Sequence, residues 1–362
     1  MRRRFVVLAL VLLFVASACG GGDDKPTTTT TVKPTTTTAP PPPAFLTGLP
    51  QPSEDKQRRP ALVVKVDNAP QARPQAGLDA ADVVYEEVVE GGVVRFLAVF
   101  HSQDASTVGP VRSVRPVDPV IVSPLKGLFA YSGGAPQFVR LIKAAPVTLV
   151  GFDELTKAYS RRRDRPAPHN LFTSTAALYK GAKEDAVPPP PLFTYLSKDQ
   201  PFGVAGGSPL TYLLVQVGGA TRTEWTWDAA KSVWLRSTNG TPHTVEGGAQ
   251  LGFTNVIVQF VRYTNTGSRD PAGFSVPTAE VTGTGDAWIL SNGRLVKGRW
   301  AKPTASAVTE YKDSSDLPIA ITPGTTWISL APIGAGTTAD RPGTAYRAGG
   351  RHAGLPATVR RS

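Results

Sequence analysis

Short apolar runs bounded by turn residues recur along the chain from residue 61 onward, the pattern of strands rather than of long helices. Residues 61–66 form the first run, stopped by Asp67-Asn68-Ala69-Pro70. Residues 83–89 and 93–100 flank Glu90-Gly91-Gly92 and predict a hairpin; residues 128–131 give another strand. Ser132-Gly133-Gly134-Ala135 then leads into Pro136, and Phe138, Val139, Leu141 and Ile142 follow at helical spacing. Proline suits a first helical turn because its missing N–H has no intrahelical partner there. Thr173 or Ser174 caps a second helix through Leu178. Beyond the proline run 188–191 lie strand runs at 212–217, 224–227, 233–236, 255–263, 287–290, 294–300 and 326–330. Asn292-Gly293 and Asn239-Gly240 supply hairpin turns. The pattern predicts an α/β or α+β N-terminal domain over 58–187 and a smaller β-rich C-terminal domain over 188–335. Each half holds apolar runs enough for a core of its own.

The ends of the chain carry different signals. Arg2, Arg3 and Arg4, the apolar run 5–15 and Ala16-Ser17-Ala18 read as a secretory signal over 1–18. Cys19, the one cysteine of the 362 residues, follows at once and resembles the lipidated residue of a bacterial lipobox, with Ala16 where a larger aliphatic residue is usual. Its singleness excludes a disulfide framework and a multi-cysteine zinc site. Residues 19–57, with two threonine runs and Pro40–Pro43, read as an extended tether from the membrane. Residues 336–362 read as a disordered basic tail. This places the folded part outside the cytoplasm, anchored to the cell membrane by its N-terminal lipid. The net charge is +11, three units of it in the signal arginines. Nucleic acid is not an expected partner there; anionic wall polymers and lipid-linked precursors are. The six tryptophans all fall in the second half, where packing a β-core is the expectation and sugar stacking the alternative.

Polar groups gather near the turns of the first half. Arg112 and Arg115 follow the hairpin; Arg161, Arg163 and Arg165 precede His169 and Asn170; and the Gly133-Gly134 turn opens a helix. Forked guanidinium groups and free helix-entrance N–H groups both favour phosphate or carboxylate, so these residues form a candidate anion site. His169 is either a general acid or base, or a brace for the following helix. Asp67, Asp82, Glu86 and Glu90 are the candidate carboxylates. Each pairs an arginine or caps a turn, or they hold Mg²⁺ against a bound phosphate. Glu86, on the face of Val84 and Val88, has Arg95 as its cross-hairpin candidate partner. No nucleophile elbow, zincin motif or Walker loop is present.

Asp67-Asn68 through Arg73-Pro74-Gln75-x-Gly77-Leu78, Ala81-Asp82-Val83-Val84-Tyr85-Glu86 and Glu90-Gly91-Gly92-x-x-Arg95-Phe96-Leu97-Ala98 resemble the YerB-like lipoprotein family. Gly109-Pro110-Val111-Arg112-Ser113-x-Arg115, Gly133-Gly134-Ala135-Pro136, Pro168-His169-Asn170-Leu171, Asn255-Val256-Ile257-Val258-Gln259 and Gly298-x-Trp300 continue the match, with Val94 at a position where threonine is expected. The resemblance implies a two-domain lipoprotein of Gram-positive-type envelopes, with domains of unknown function and no assigned catalytic residues. Three readings follow. The first is a binder of an anionic, phosphate-bearing envelope ligand that needs no cofactor. The second is a Mg²⁺-dependent phosphoryl or glycopolymer transferase distantly similar to the LytR-CpsA-Psr ligases. The third is a scaffold for cell-wall enzymes.

Overall fold

Val83–Val88 (β2) and Val94–Phe100 (β3) form the expected hairpin, joined through Glu90–Gly92, where Gly91 and Gly92 take positive φ. In this computed structural model the described residues are 42–197, 199–203, 207–335 and, as backbone, 337–339. The signal-like segment, Cys19, most of the tether and nearly all of the basic tail lie outside them. Leu62–Val66 (β1) pairs antiparallel with β3 and parallel with Leu128–Ala130 (β4), which pairs parallel with Thr148–Leu149 (β5). Every residue of β1 is buried, which is why all but Lys65 are apolar and the sequence does not alternate.

The second half contributes Tyr212–Gly218 (β6), Thr221–Asp228 (β7), Val233–Thr238 (β8), Asn255–Arg269 (β9), Ser275–Glu280 (β10), Gly283–Ser291 (β11), Arg294–Lys302 (β12), Glu310–Lys312 (β13) and Thr326–Pro332 (β14). The two halves share one sheet of twelve strands, ordered β13-β12-β11-β9-β14-β2-β3-β1-β4-β5 along its main path. Its seam is β14, parallel to β9 on one side and to β2 on the other. A smaller sheet, built on β8-β7-β6, packs Trp225 and Trp234 against one face of the large one, together with Trp327 of β14. The tryptophans named there are core residues.

Helix is scarcer than expected. Glu54–Arg58 (α1), Asp118–Val122 (α2), Pro136–Lys143 (α3) and Thr175–Tyr179 (α4) have five to eight residues each. The N-terminal half is therefore strand-dominated rather than a layered α/β domain. Pro116, Pro119, Pro124, Pro136 and Pro146 punctuate the region and forbid longer helical runs. The folded part also begins earlier than expected: Ala44 and Leu46 are buried, and Ser53 caps α1. No helix among the described residues is long and apolar enough to cross a membrane.

Candidate functional site

β1, β2, β4, β9 and β14 run parallel to one another, so their carboxyl ends share one edge of the large sheet. In open α/β sheets ligands sit beyond the carboxyl ends of the strands, and the polar groups here gather at the corresponding edge. Asp67 ends β1, and Ser132-Gly133-Gly134 ends β4. The segment carrying Arg112 and Arg115 lies between them, through Arg112 N–H to Lys65 O (2.9 Å), Ser132 N–H to Arg112 O (3.0 Å) and Val114 N–H to Gly133 O (3.0 Å). Gly133 has φ +96° and open space where a Cβ would stand; a Cβ on Gly134 would meet Val114 Cγ1 at 2.7 Å. Both positions therefore require glycine. The chain then enters α3, where the Ala135 carbonyl takes the N–H groups of Phe138 and Val139.

The arginines meet two carboxylates here. Arg115 grips Glu90 with both arms of its fork, at 2.8 Å from Nη2 to Oε2 and 2.7 Å from Nε to Oε1. Arg112 Nε stands 3.0 Å from Asp67 Oδ2, and His169 Nδ1 lies 2.7 Å from that same oxygen. The third guanidinium is Arg95, at the start of β3. It is buried, makes no ion pair among the described residues, and reaches only the Ser113 carbonyl at 3.5 Å. Burial, then the neighbouring charges of Arg115 and Arg112, pull its pKa down to about 10, against the opposing pull of Asp67 and Glu90. Three cations thus face two carboxylates. Sequence reading missed Arg95 as a site residue because it assigned that side chain to Glu86. Arg95 is opposite Glu87 in the hairpin register, and Glu86 faces the other side of the sheet.

Just beneath the cluster, Lys65 Nζ binds Glu87 Oε1 and, at 2.7 Å, Asp118 Oδ1, all three side chains buried. Burial and the Asp118 charge raise Glu87 to about 7, with Lys65 opposing. Asp118 Oδ2 also accepts the Arg115 N–H at 2.7 Å, which fixes the backbone that carries the site arginine.

The remaining predicted residues serve elsewhere. Arg161 Nη1 donates to Asn170 Oδ1 at 3.0 Å, within the pairing of Ser160–Arg161 with Leu171–Phe172. Arg165 donates to Ala72 O, Pro74 O and Glu246, and Arg162 also pairs with Glu246, so this cluster clamps the first half to the second. Arg163 is exposed and makes no ion pair among the described residues. Asp82 accepts the N–H groups of His101 and Ser102 and so caps the end of β3. Glu86 is fully buried, and Arg236, Thr223, Trp327 and Ser329 all donate to it. The four carboxylates do not converge, and among the described residues no three His, Cys, Asp or Glu side chains stand together as a metal site.

A cavity of about 580 Å³ opens beside the Arg115–Glu90 pair. Glu90, Ser113, Arg115, Gly134 and Phe138 line it from the first half, Arg269 and Asp270 from the tip of the β9–β10 hairpin. Gln137 Nε2 of α3 touches Ser268 Oγ of that hairpin at 3.3 Å. A groove of about 640 Å³ beside Leu192, Phe193, Tyr311 and Ile319 is slightly larger. Its cation Lys312 is paired with Glu310, so it holds no buried unpaired charge.

Both domains of the family described as "Protein of unknown function (DUF3048)" match this chain, the N-terminal domain over residues 46–188 and the C-terminal domain over 213–328. The chain belongs to the DUF3048 family. A relative in Bacillus subtilis (strain 168), named "Putative lipoprotein YerB", is 28% identical over 296 residues, 79% of this chain and 85% of the relative. The crystal structure of YerB protein from Bacillus subtilis has a TM-score of 0.68 and 23% identity, covering 82% of this chain and 99% of that one. The DUF3048 domains are thus joined here by a shared sheet, and both line the cavity beside Arg115.

Proposed function

We propose that this DUF3048 protein is an envelope lipoprotein, held to the cell membrane through Cys19, whose cleft binds a phosphate-bearing anionic ligand. The lipoprotein part rests on the signal and lipobox-like sequence and on the name of the Bacillus subtilis relative. The ligand part rests above all on Arg95. A buried guanidinium without an ion pair is costly, and a bound anion is the partner that Arg95 lacks, whereas the neighbouring Arg112 and Arg115 are already paired with Asp67 and Glu90. The C-terminal domain acts in this reading as one wall of the binding site. A wall polymer phosphate and a lipid-linked pyrophosphate present the same chemistry to such a fork.

The test is calorimetric titration of the full chain in detergent with wall teichoic-acid fragments and with a polyprenyl pyrophosphate, at two salt concentrations. Arg95→Met and Arg115→Ala should each weaken binding by about ten- to a hundredfold, the loss of one charge-assisted fork. Arg112→Lys should weaken it nearly as much as Arg112→Ala, because lysine keeps the charge and loses the planar pair of donors. Rising salt should weaken the wild type further. A wild type that binds neither ligand would leave the scaffold reading.

A further inference from the structure

Three of the four histidines lie among the described residues, and they are used in different ways. Both ring nitrogens of His243 are engaged, Nδ1 by Arg236 and Nε2 by Gln75, in a buried setting. His101 is buried, bonded through Nε2 to Arg59 O, with Nδ1 sealed from solvent. His169 alone of the three pairs one nitrogen with a carboxylate and leaves the other open: its Nε2 is neither buried nor hydrogen-bonded to a described residue. The Asp67 side chain that holds it is 3% exposed, the imidazole 15%.

That arrangement fixes the tautomer. The Asp67 carboxylate accepts, so Nδ1 carries the proton and Nε2 presents a lone pair outward. Ala69 N–H donates to Asp67 Oδ1 at 3.1 Å, which holds the carboxylate in place. Arg112 Nε shares Oδ2 with the imidazole, so guanidinium and ring stand side by side on one oxygen. Arg112 and His169 thus share one carboxylate oxygen, and the second nitrogen of the ring is able to take a proton.

We propose that His169 is the proton-transfer group of a hydrolytic site acting on a phosphoester or pyrophosphate held by Arg95, Arg112 and Arg115, with Asp67 as its positioning residue; this rests on the anion-binding reading above. In the step, the oxygen of a water attacks phosphorus and a P–O bond forms, while His169 Nε2 takes one water proton. The P–O bond to the leaving group breaks, its electron pair goes to the leaving oxygen, and the imidazolium returns the proton to that oxygen. The sum is ester or anhydride plus water giving alcohol or phosphate plus phosphate, with no redox change. The arginines supply charge stabilisation of the equatorial oxygens.

The experiment uses the full chain in detergent with two probes, a polyprenyl pyrophosphate and bis(p-nitrophenyl) phosphate, reading released phosphate or nitrophenol, with binding read separately by calorimetry. His169→Asn is the key variant, since its amide can still donate to Asp67 while Nε2 is gone. The expected result is turnover by the wild type and a kcat about 100- to 10,000-fold lower in His169→Asn with Kd unchanged. The limb of the pH–rate profile that histidine titration produces should vanish with it. Asp67→Asn should lower kcat and displace that limb, because an amide no longer fixes the tautomer. Arg115→Ala should instead raise KM. Binding without turnover of either probe, or turnover by His169→Asn equal to wild type, overturns the proposal and leaves the binder standing. Absence of binding overturns both.

Discussion

Glu86 and Arg95 are buried charges on adjacent strands of one hairpin, on opposite faces of the sheet, and their surroundings differ completely. Around Glu86 the accounting is closed. One oxygen takes Arg236 Nη2 at 2.5 Å and Thr223 Oγ1 at 3.1 Å; the other takes Trp327 Nε1 at 3.1 Å and Ser329 Oγ at 2.7 Å. Arg236 donates onward to Thr238 and His243, and its guanidinium lies 4.6 Å over the Trp327 ring. Arg95 has one long bond to a carbonyl, no ion pair among the described residues, and two like charges nearby that the more weakly acting Asp67 and Glu90 oppose. A buried charge with every partner in place holds a fold together, whereas one with partners missing points to something that arrives from outside.

The comparison can be broken most drastically by ending the chain after Asp185. Glu86 would lose all four donors and β2 would lose its neighbour β14. Such a fragment should show no cooperative urea unfolding by circular dichroism. Cooperative unfolding of the fragment would mean that the shared sheet is dispensable to the first half.

Next in size is a matched pair of substitutions. Arg236→Met leaves Glu86 buried without its counter-charge and should cost about 3–5 kcal/mol in urea denaturation, much of it recovered by adding Glu86→Gln. Arg95→Met removes an unpaired cation from beside two others, so stability should hold or rise while anion binding falls. Equal destabilisation by the two would erase the distinction between the clusters.

A smaller effect is read through pH. Glu87, ordinarily near 4.5, is raised by burial to about 7. Between those values the folded chain keeps a proton that the unfolded chain releases, so this contribution is complete below about 4.5 and is lost as pH rises through 7. His101 runs the other way. Burial first, then the Arg59 charge, pull it from 6.5 down to about 4, so its contribution is lost as pH falls from 6.5 towards 4. The two slopes oppose each other between about 4.5 and 6.5. Glu87→Gln should therefore steepen the rise of stability from pH 5 to 6.5 and flatten the fall above it, in urea midpoints measured from pH 5 to 8. Identical profiles for wild type and variant would remove Glu87 as the titrating group. Smallest of all, Arg163→Ala should change stability by no more than about 0.5 kcal/mol and leave calorimetric anion binding unaltered, as an exposed arginine outside the cleft should.

The local devices of the site were legible in the sequence. The Gly-Gly turn before Pro136 signals a strand-to-helix passage whose geometry only glycine tolerates, and Arg112, Arg115, His169, Asp67 and Glu90 do meet at one end of the sheet. The arginines at 161, 163 and 165 looked equivalent to them and are not, because the acceptor that claims Arg165, Glu246, lies 81 residues away. Glu86 was placed on the right face of its strand and given the wrong partner for the same reason, since Arg236 stands 150 residues on.

Strand alternation, turn chemistry and helix entrances depend on residues within a few positions of one another, so the sequence by itself determined the β2–β3 hairpin, α3, the β-rich second half and the polar ends of the strands. Which strands become neighbours depends on whole faces finding mutual cover, and that is not written in any short window. Only the tertiary structure decided that β14 enters between β9 and β2, that Trp327 of β14 and Trp225 of the small sheet close over Arg236, and that Arg95 is buried with no carboxylate to meet it.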